Sequence, residues 1–134
     1  MVTLFLPFPP SVNAAYANRK FGKGRGRFKS KVYTDWLKEA DAWFLKQKAE
    51  KTVGTPIVGP YEAHMTFSRD KRRWNSDISN RIKVAEDYLK RAGLIEDDSK
   101  CEDLRATWGP VEGVFIRAFR FPVTSHGIAS KITS

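Results

Sequence analysis

The 134-residue chain contains little cysteine, little histidine and no long apolar run. Its one cysteine, Cys101, excludes an internal disulfide and a zinc site built on cysteines. The two histidines, His64 and His126, are far apart in the sequence and lack the spacing of a metal-binding pair. No apolar stretch approaches the roughly 18 residues that a membrane span needs. These absences favour a protein of a reducing compartment, and we expect a cytoplasmic location.

Acidic residues are scarce in the two most basic parts of the chain. Residues 17–31 contain seven lysines or arginines and no acid, and residues 69–73 contain four with a single aspartate. Together these two segments carry more net positive charge than the whole chain, whose formal net charge is +9. The basic character of the protein is therefore concentrated in them. Solvated charged loops are one interpretation, but binding of a polyanion is favoured. The predicted nucleic-acid contacts are Arg19, Lys20, Lys23, Arg25, Arg27, Lys29, Arg69, Arg72 and Arg73.

Apolar periodicity predicts an α+β fold with a small mixed β-sheet and two main helices. Ser30 is a suitable N-cap for the first helix, and Gly93 is a suitable residue to follow the second. We expect a single domain over residues 1–123, with a mobile basic loop at 17–30 and a polar tail at 124–134 that is disordered. The predicted order is β-α-β-α-β-β, with strands at 2–8, 61–67, 102–108 and 114–121 and helices at 31–48 and 77–92.

Acidic residues flank the second predicted helix within this basic chain. Asp77 begins the helix, and Asp97 and Asp98 follow it. Carboxylates repel phosphate unless a divalent cation lies between them, so acids set in a basic surface are typical of a metal-dependent nuclease. Structural alternatives are a helix cap at Asp77 and an ordinary solvated lysine at Lys83. A helix of roughly 16 residues spans about 24 Å, so the two acidic groups meet only if the chain runs back or a second copy contributes.

Three motifs, taken in order, resemble the RusA family of Holliday junction resolvases. Phe8-Pro9-Pro10-Ser11-Val12-Asn13, with Tyr16, is similar to the Pro-Pro-Ser-x-Asn loop of that family. Asp77-Ile78-Ser79-Asn80-Arg81-Ile82-Lys83 resembles its Asp-x-Asp-Asn-x-x-Lys motif. Ala92-Gly93-Leu94-Ile95-Glu96-Asp97-Asp98 resembles its Gly-hydrophobic-x-x-Asp-Asp ending. Each motif alone is weak, but the three in this order cover most of the chain.

The resemblance implies a homodimeric endonuclease, dependent on Mg²⁺ or Mn²⁺, that nicks two opposing strands of a four-way DNA junction. By position it implies catalytic roles for Asp77, Asn80, Lys83 and Asp98. Asp77 and Asp98 are also implied as metal ligands, and Asp97 is a less direct candidate. A symmetric dimer supplies two active sites for paired nicks. The resemblance suggests a bacterial or phage gene, and the basic segments would then hold junction phosphates.

One position departs from the family pattern. Ser79 stands where the family has a second carboxylate, and a neutral hydroxyl is a poorer ligand for Mg²⁺. Asp97 could compensate, or Ser79 could hold a metal-bound water. We expect an active enzyme. The alternative is a catalytically weakened or inactive junction-binding protein, and metal dependence separates the two because a binding module needs no Mg²⁺.

Overall fold

The computed structural model describes residues 1–18, 27–71 and 78–122. The buried apolar side chains of these residues form one continuous core. In chain order the elements are β1 (Val2–Leu6), α1 (Val12–Ala15), β2 (Tyr16–Asn18), β3 (Arg27–Lys29), α2 (Lys31–Ala49), β4 (Tyr61–Ser68), a 3₁₀ turn (Arg69–Lys71), α3 (Ser79–Arg91), a second 3₁₀ turn (Asp98–Lys100), β5 (Cys101–Gly109) and β6 (Val114–Arg120).

The main sheet is mixed and has the strand order β1-β6-β4-β5. The β1–β6 and β6–β4 pairs are antiparallel, whereas β4 and β5 are parallel. A parallel pair needs a crossover connection, and α3 lies within the one that joins β4 to β5. Although β5 and β6 are consecutive in the sequence, β4 lies between them in the sheet. The α+β class and the mixed sheet predicted from the sequence are confirmed.

Alternating burial explains why the strands face a core. In β1, Val2, Leu4 and Leu6 are fully buried, as period-two alternation on one sheet face requires. The aromatic stripe of α2 also packs inward, and Trp36 donates its indole N–H to Pro7 O at 3.0 Å. Ser30 caps α2 as predicted, since its hydroxyl oxygen accepts from Tyr33 N at 3.1 Å.

Within the described ranges, no helix is long and apolar enough to span a bilayer.

The predicted mobile loop at 17–30 needs correction at both ends. Tyr16–Asn18 and Arg27–Lys29 pair as an antiparallel two-stranded ribbon, and Ser30 belongs to the cap of α2. Residues 19–26 of that loop lie outside the described residues, as do residues 124–134 of the predicted tail. The ribbon was missed because its strands are three residues long, and such short pairs carry no periodicity of their own.

One additional helix and the start of α3 also differ from the prediction. The four-residue α1 was not predicted, although Ser11 accepts from Ala14 N at 3.1 Å as an N-cap does. The N-cap of α3 is Ile78, whose side chain makes no capping hydrogen bond. Asp77, for which capping was the structural alternative to a catalytic role, lies outside the described residues.

Candidate active site

One lysine of α3 links two carboxylates. Lys83 Nζ lies 2.6 Å from Asp98 Oδ2 and 3.0 Å from Asp87 Oδ1. Asp87 is one turn further along the same helix face, and Asp98 belongs to the chain that follows the helix. Hydrogen bonds to Asp98 first, and then to Asp87, raise the pKa of Lys83 well above its usual range. We call these three residues the lysine–carboxylate cluster; it brings together two of the predicted site residues, Lys83 and Asp98.

A glycine turn sends the chain back toward the helix. Gly93 has a φ of 75°, in the left-handed region that glycine adopts without strain. Leu94 N donates to Leu89 O at 2.9 Å, closing the turn. Leu94 and Ile95 are both buried in the core, so the returning segment is anchored by its apolar side chains. The prediction that Gly93 follows the helix end is confirmed, and the turn is the reason that later acids can reach α3.

The two aspartates after this turn contact different lysines of α3. Asp97 Oδ1 lies 2.6 Å from Lys90 Nζ, whereas Asp98 contacts Lys83. Lys83 and Lys90 are seven residues apart and therefore share a helix face. Asp97 also accepts from Ser99 N at 3.0 Å, and Lys90 together with Ser99 holds the pKa of the Asp97 carboxyl well below its usual range. Asp97 thus has a structural role as an ion-pair partner and a turn cap, and it does not contact Lys83.

A third carboxyl, that of Glu86, interacts with the cluster. Glu86 is half-buried, and Tyr61 donates its hydroxyl to Glu86 Oε2 at 2.9 Å. Burial raises the pKa of Glu86; the Tyr61 hydrogen bond lowers it, and the negative charges of Asp98 and Asp87 raise it. Sequence reasoning did not select this residue or Asp87, although the spacing of three and four residues from Lys83 was an available signal.

The proline-rich loop after β1 is tied to α3. Tyr16 donates its hydroxyl to Asp87 Oδ2 at 3.3 Å. Arg81 donates Nη1–H to Pro9 O at 2.8 Å, and its guanidinium carbon lies 5.0 Å from the centre of the Phe8 ring. Burial lowers the pKa of Arg81. The first two motifs singled out in the sequence therefore meet at one face of the molecule, next to the cluster.

The first turn of α3 contains two further predicted residues. Ser79 is exposed and Asn80 is half-buried, and Ser79 is four residues before Lys83 on the same helix face. Asp77 precedes this turn in the sequence but is not among the described residues. In the described ranges, no group of three or more His, Cys, Asp or Glu side chains is arranged to hold a metal ion.

Most of the predicted nucleic-acid contacts fall where the structure gives no side chain. Lys29 is exposed at the end of β3, with Nζ 6.0 Å from the centre of the Tyr33 ring. Arg69 is exposed after β4 and donates to Trp108 O at 3.0 Å. For Arg27 only the backbone is described, within β3. The others, Arg19, Lys20, Lys23, Arg25, Arg72 and Arg73, lie outside the described residues.

The comparisons with known proteins agree with this geometry. The family model for endodeoxyribonuclease RusA matches residues 7–117 of the chain. That range includes the proline-rich loop, α3 and the returning acidic segment, so the match covers every element of the cluster. A comparison with the curated proteins finds no match.

Proposed function

The chain belongs to the RusA family of endodeoxyribonucleases, which act on Holliday junctions, and on this basis we propose that it is a metal-dependent resolvase that makes paired, symmetric nicks. The observation that best supports this function is the lysine–carboxylate cluster. A half-exposed ammonium group between two carboxylates is suited to a reaction in which a phosphodiester becomes more negative.

The proposed metal ligands are Asp77 and Asp98. Mg²⁺ usually keeps several waters and binds through one or two carboxylates, so a site with few protein ligands fits this ion and also Mn²⁺. Asp98 supplies the required hard oxygen donors and is partly exposed. Ser79 lies on the same helix face as Lys83 and can offer only a neutral oxygen. Asp97 is a weaker candidate because, in addition to its ion pair with Lys90, it caps the 3₁₀ turn by accepting from Ser99 N. When bound, the ion supplies a water of lowered pKa and a positive charge beside the reacting phosphate.

The remaining site residues act on the substrate directly. Lys83 is protonated at neutral pH and can donate to a phosphate oxygen as the transition-state charge develops. Asp87 and Asp98 hold its ammonium in place before DNA arrives. Asn80 offers an amide that can donate to an uncut phosphate or to a bound water. Phosphates further from the cut would contact the basic segments, which position the junction without reading its sequence.

We also propose a homodimer of a single domain over residues 1–123. One cluster per chain can cut one strand, whereas paired nicks on a two-fold junction need two related sites. The substrate would be a four-way junction formed during recombination or repair. Such an enzyme would act in the cytoplasm of a bacterium, whether encoded by the cell or by a phage.

Ser79 supports one alternative. If the family carboxylate at this position is required for metal binding, the chain would bind junctions with weakened or absent cleavage. Replacing Ser79→Asp tests this alternative. We expect the variant to cut more strongly than the wild type at low Mg²⁺, because it restores an anionic ligand. Equal or lower activity throughout an Mg²⁺ titration would show that position 79 is not a vacated ligand position.

The deciding experiment is cleavage of a labelled four-way junction with Mg²⁺ and with EDTA. We expect symmetric paired nicks that require the ion and disappear in Asp77→Asn. Asp35→Asn is the matched control, since Asp35 is an exposed aspartate of α2 whose ion pair with Lys31 is remote in sequence from the site. Tight junction binding without cleavage in Mg²⁺ or Mn²⁺ would favour the alternative, and nicks in EDTA would overturn the metal-dependent mechanism.

A further inference from the structure

A cleft opens between the β2–β3 ribbon and the adjoining faces of α2 and α3. Its volume is about 410 Å³, within the roughly 300–1,000 Å³ of pockets that hold small ligands. Two aromatic side chains, Tyr16 and Tyr33, form part of its wall. Three basic side chains, Lys29, Lys90 and Arg91, also line it. Aromatic rings combined with cations are the surface that binds the nucleotides of single strands.

The cleft begins at the lysine–carboxylate cluster. Asp87 lines it and belongs to both features, since one carboxylate oxygen lies 3.0 Å from Lys83 Nζ and the other accepts from Tyr16. A strand whose reacting phosphate lies at Lys83 would therefore place a neighbouring nucleotide at the mouth of the cleft.

The charges in the cleft are unequally balanced. Lys90 pairs with Asp97 at 2.6 Å, and Arg91 pairs with Asp41 at 3.0 Å. Lys29, by contrast, takes part in no ion pair within the part of the chain that the structure describes. Its ammonium lies 6.0 Å from the centre of the Tyr33 ring, at the edge of the aromatic wall. An anion entering the cleft would thus be attracted first to Lys29.

We propose that this cleft binds one unpaired nucleotide of the substrate strand, next to the phosphate that is cut. The base would lie against the half-buried Tyr16 ring, and its phosphate would contact Lys29, with Arg91 as a second donor. A cleft of about 410 Å³ has the size of a pocket for one small ligand, so the subsite would favour DNA that is unstacked near the cut. Branched substrates offer such a nucleotide at the branch point, whereas continuous duplex does not. The inference rests on the proposed nuclease function, because the cluster fixes where the strand runs.

Salt-dependent binding tests the cleft. The affinity for a labelled four-way junction would be measured by fluorescence anisotropy over a KCl series without divalent ions. Lys29→Met should lower the slope of log affinity against log salt by about 0.7–0.9, the value for one lost phosphate contact. Lys46→Met is the matched control, because Lys46 lies roughly 20 Å further along α2 than Tyr33 of the cleft wall, by helix rise. Identical slopes for the two variants would overturn the phosphate contact.

Two substitutions of Tyr16 separate stacking from hydrogen bonding. Tyr16→Phe keeps the ring and loses the hydroxyl that donates to Asp87, so it should bind the junction more tightly than Tyr16→Ala. Tyr16→Ala removes the ring and should weaken binding by a factor of about 5 or more, as expected for one lost base–aromatic contact. Equal affinities for the two variants would contradict a stacking role.

Photo-crosslinking tests the same subsite in the unaltered protein. Junctions carrying 5-iododeoxyuridine at successive positions beside the nick would be irradiated, and the modified peptide would be identified by mass spectrometry. We expect cross-links to Tyr16 from the nucleotide next to the nick. Normal cleavage with cross-links that map only outside the cleft would overturn the subsite alone. A junction that is neither bound nor cut would overturn the proposed function together with it.

Discussion

Replacement of Lys83→Met removes the ammonium of the cluster and keeps an unbranched stem. The lost contacts are the ion pairs at 2.6 Å and 3.0 Å, but about half of the Lys83 side chain is exposed, so solvent screens both. Exposed pairs contribute about 1 kcal/mol or less. Asp87 and Asp98 would also be left facing each other without a cation between them. We therefore expect the free energy of unfolding to fall by about 1 kcal/mol.

The same substitution should have a much larger effect on cleavage. Loss of one preorganised group that stabilises transition-state charge typically lowers kcat by about 10²–10³. The pH dependence carries a second test, because the pKa of Lys83 is raised in the folded protein. Its stabilising contribution is complete below its ordinary pKa of about 10.4 and is lost only as pH rises through the higher folded value. Activity between pH 6 and 9 should accordingly show no loss from deprotonation of Lys83.

Two assays and one control decide between these effects. Urea unfolding followed by tryptophan fluorescence gives the stability, and single-turnover cleavage of a labelled junction gives the rate. Lys46→Met is the control, since Lys46 also forms a helical ion pair, 2.8 Å from Glu50, but is remote from the cluster in the chain. A Lys83→Met variant that keeps more than about a tenth of the wild-type rate would refute the catalytic role. A loss of several kcal/mol would instead identify the cluster as a structural tie.

Three further predictions concern the fold around the site. Burial raises the pKa of Glu86, so its stabilising contribution is present below the unfolded pKa and is lost as pH rises. In urea unfolding, the wild type should therefore gain stability relative to Glu86→Gln as pH falls from 7 to 5. A loss of relative stability over that range would contradict the raised pKa. Gln47 accepts from the N–H and donates to the C=O of one residue of the edge strand β1, each at 2.8 Å. Gln47→Ala should lower the free energy of unfolding by about 1–3 kcal/mol and promote association beyond the wild-type assembly, measured by light scattering. A variant with wild-type stability and wild-type particle mass would refute the edge-covering role. Gly93 and Gly113 have similar positive φ angles, but of the two only Gly113 would place a Cβ 2.0 Å from Leu6 O. Gly93→Ala should lower the free energy of unfolding by about 1–2 kcal/mol, and Gly113→Ala should lower it clearly more. Equal losses in chemical denaturation would show that the backbone moves to relieve the close approach.

The two longer helices and the strands of the main sheet were predictable because local signals determine them. Ser30 starts α2 by accepting a backbone N–H three residues later, and Gly93 follows α3 because it adopts a positive φ. Both requirements act within one helical turn, so the sequence shows them directly. The alternation of Val2, Leu4 and Leu6 similarly identifies β1 and its buried face.

The non-local arrangement was not predictable in the same way. The sequence places β5 before β6 but does not indicate that β4 lies between them, since that order depends on pairing across the whole sheet. The contact between Lys83 and Asp98 joins residues 15 positions apart, and it exists because buried Leu94 and Ile95 hold the returning chain against the core. The ion pair of Asp97 with Lys90 depends on the same turn, so its structural role was hidden too.

The position of Glu86 limits how the chain can compensate for Ser79. The two residues are seven positions apart on one helix face, about 10 Å by helix rise. Glu86 is half-buried and accepts from Tyr61, which is fully buried in β4, so it cannot move to the first turn without breaking that hydrogen bond. It therefore cannot serve as a substitute ligand where the family has its second carboxylate. Any gain in cleavage at low Mg²⁺ from Ser79→Asp must then come from the first turn of α3 itself, and it should persist when Ser79→Asp is combined with Glu86→Gln. A gain that disappears in this double variant would show that the two positions share one metal site.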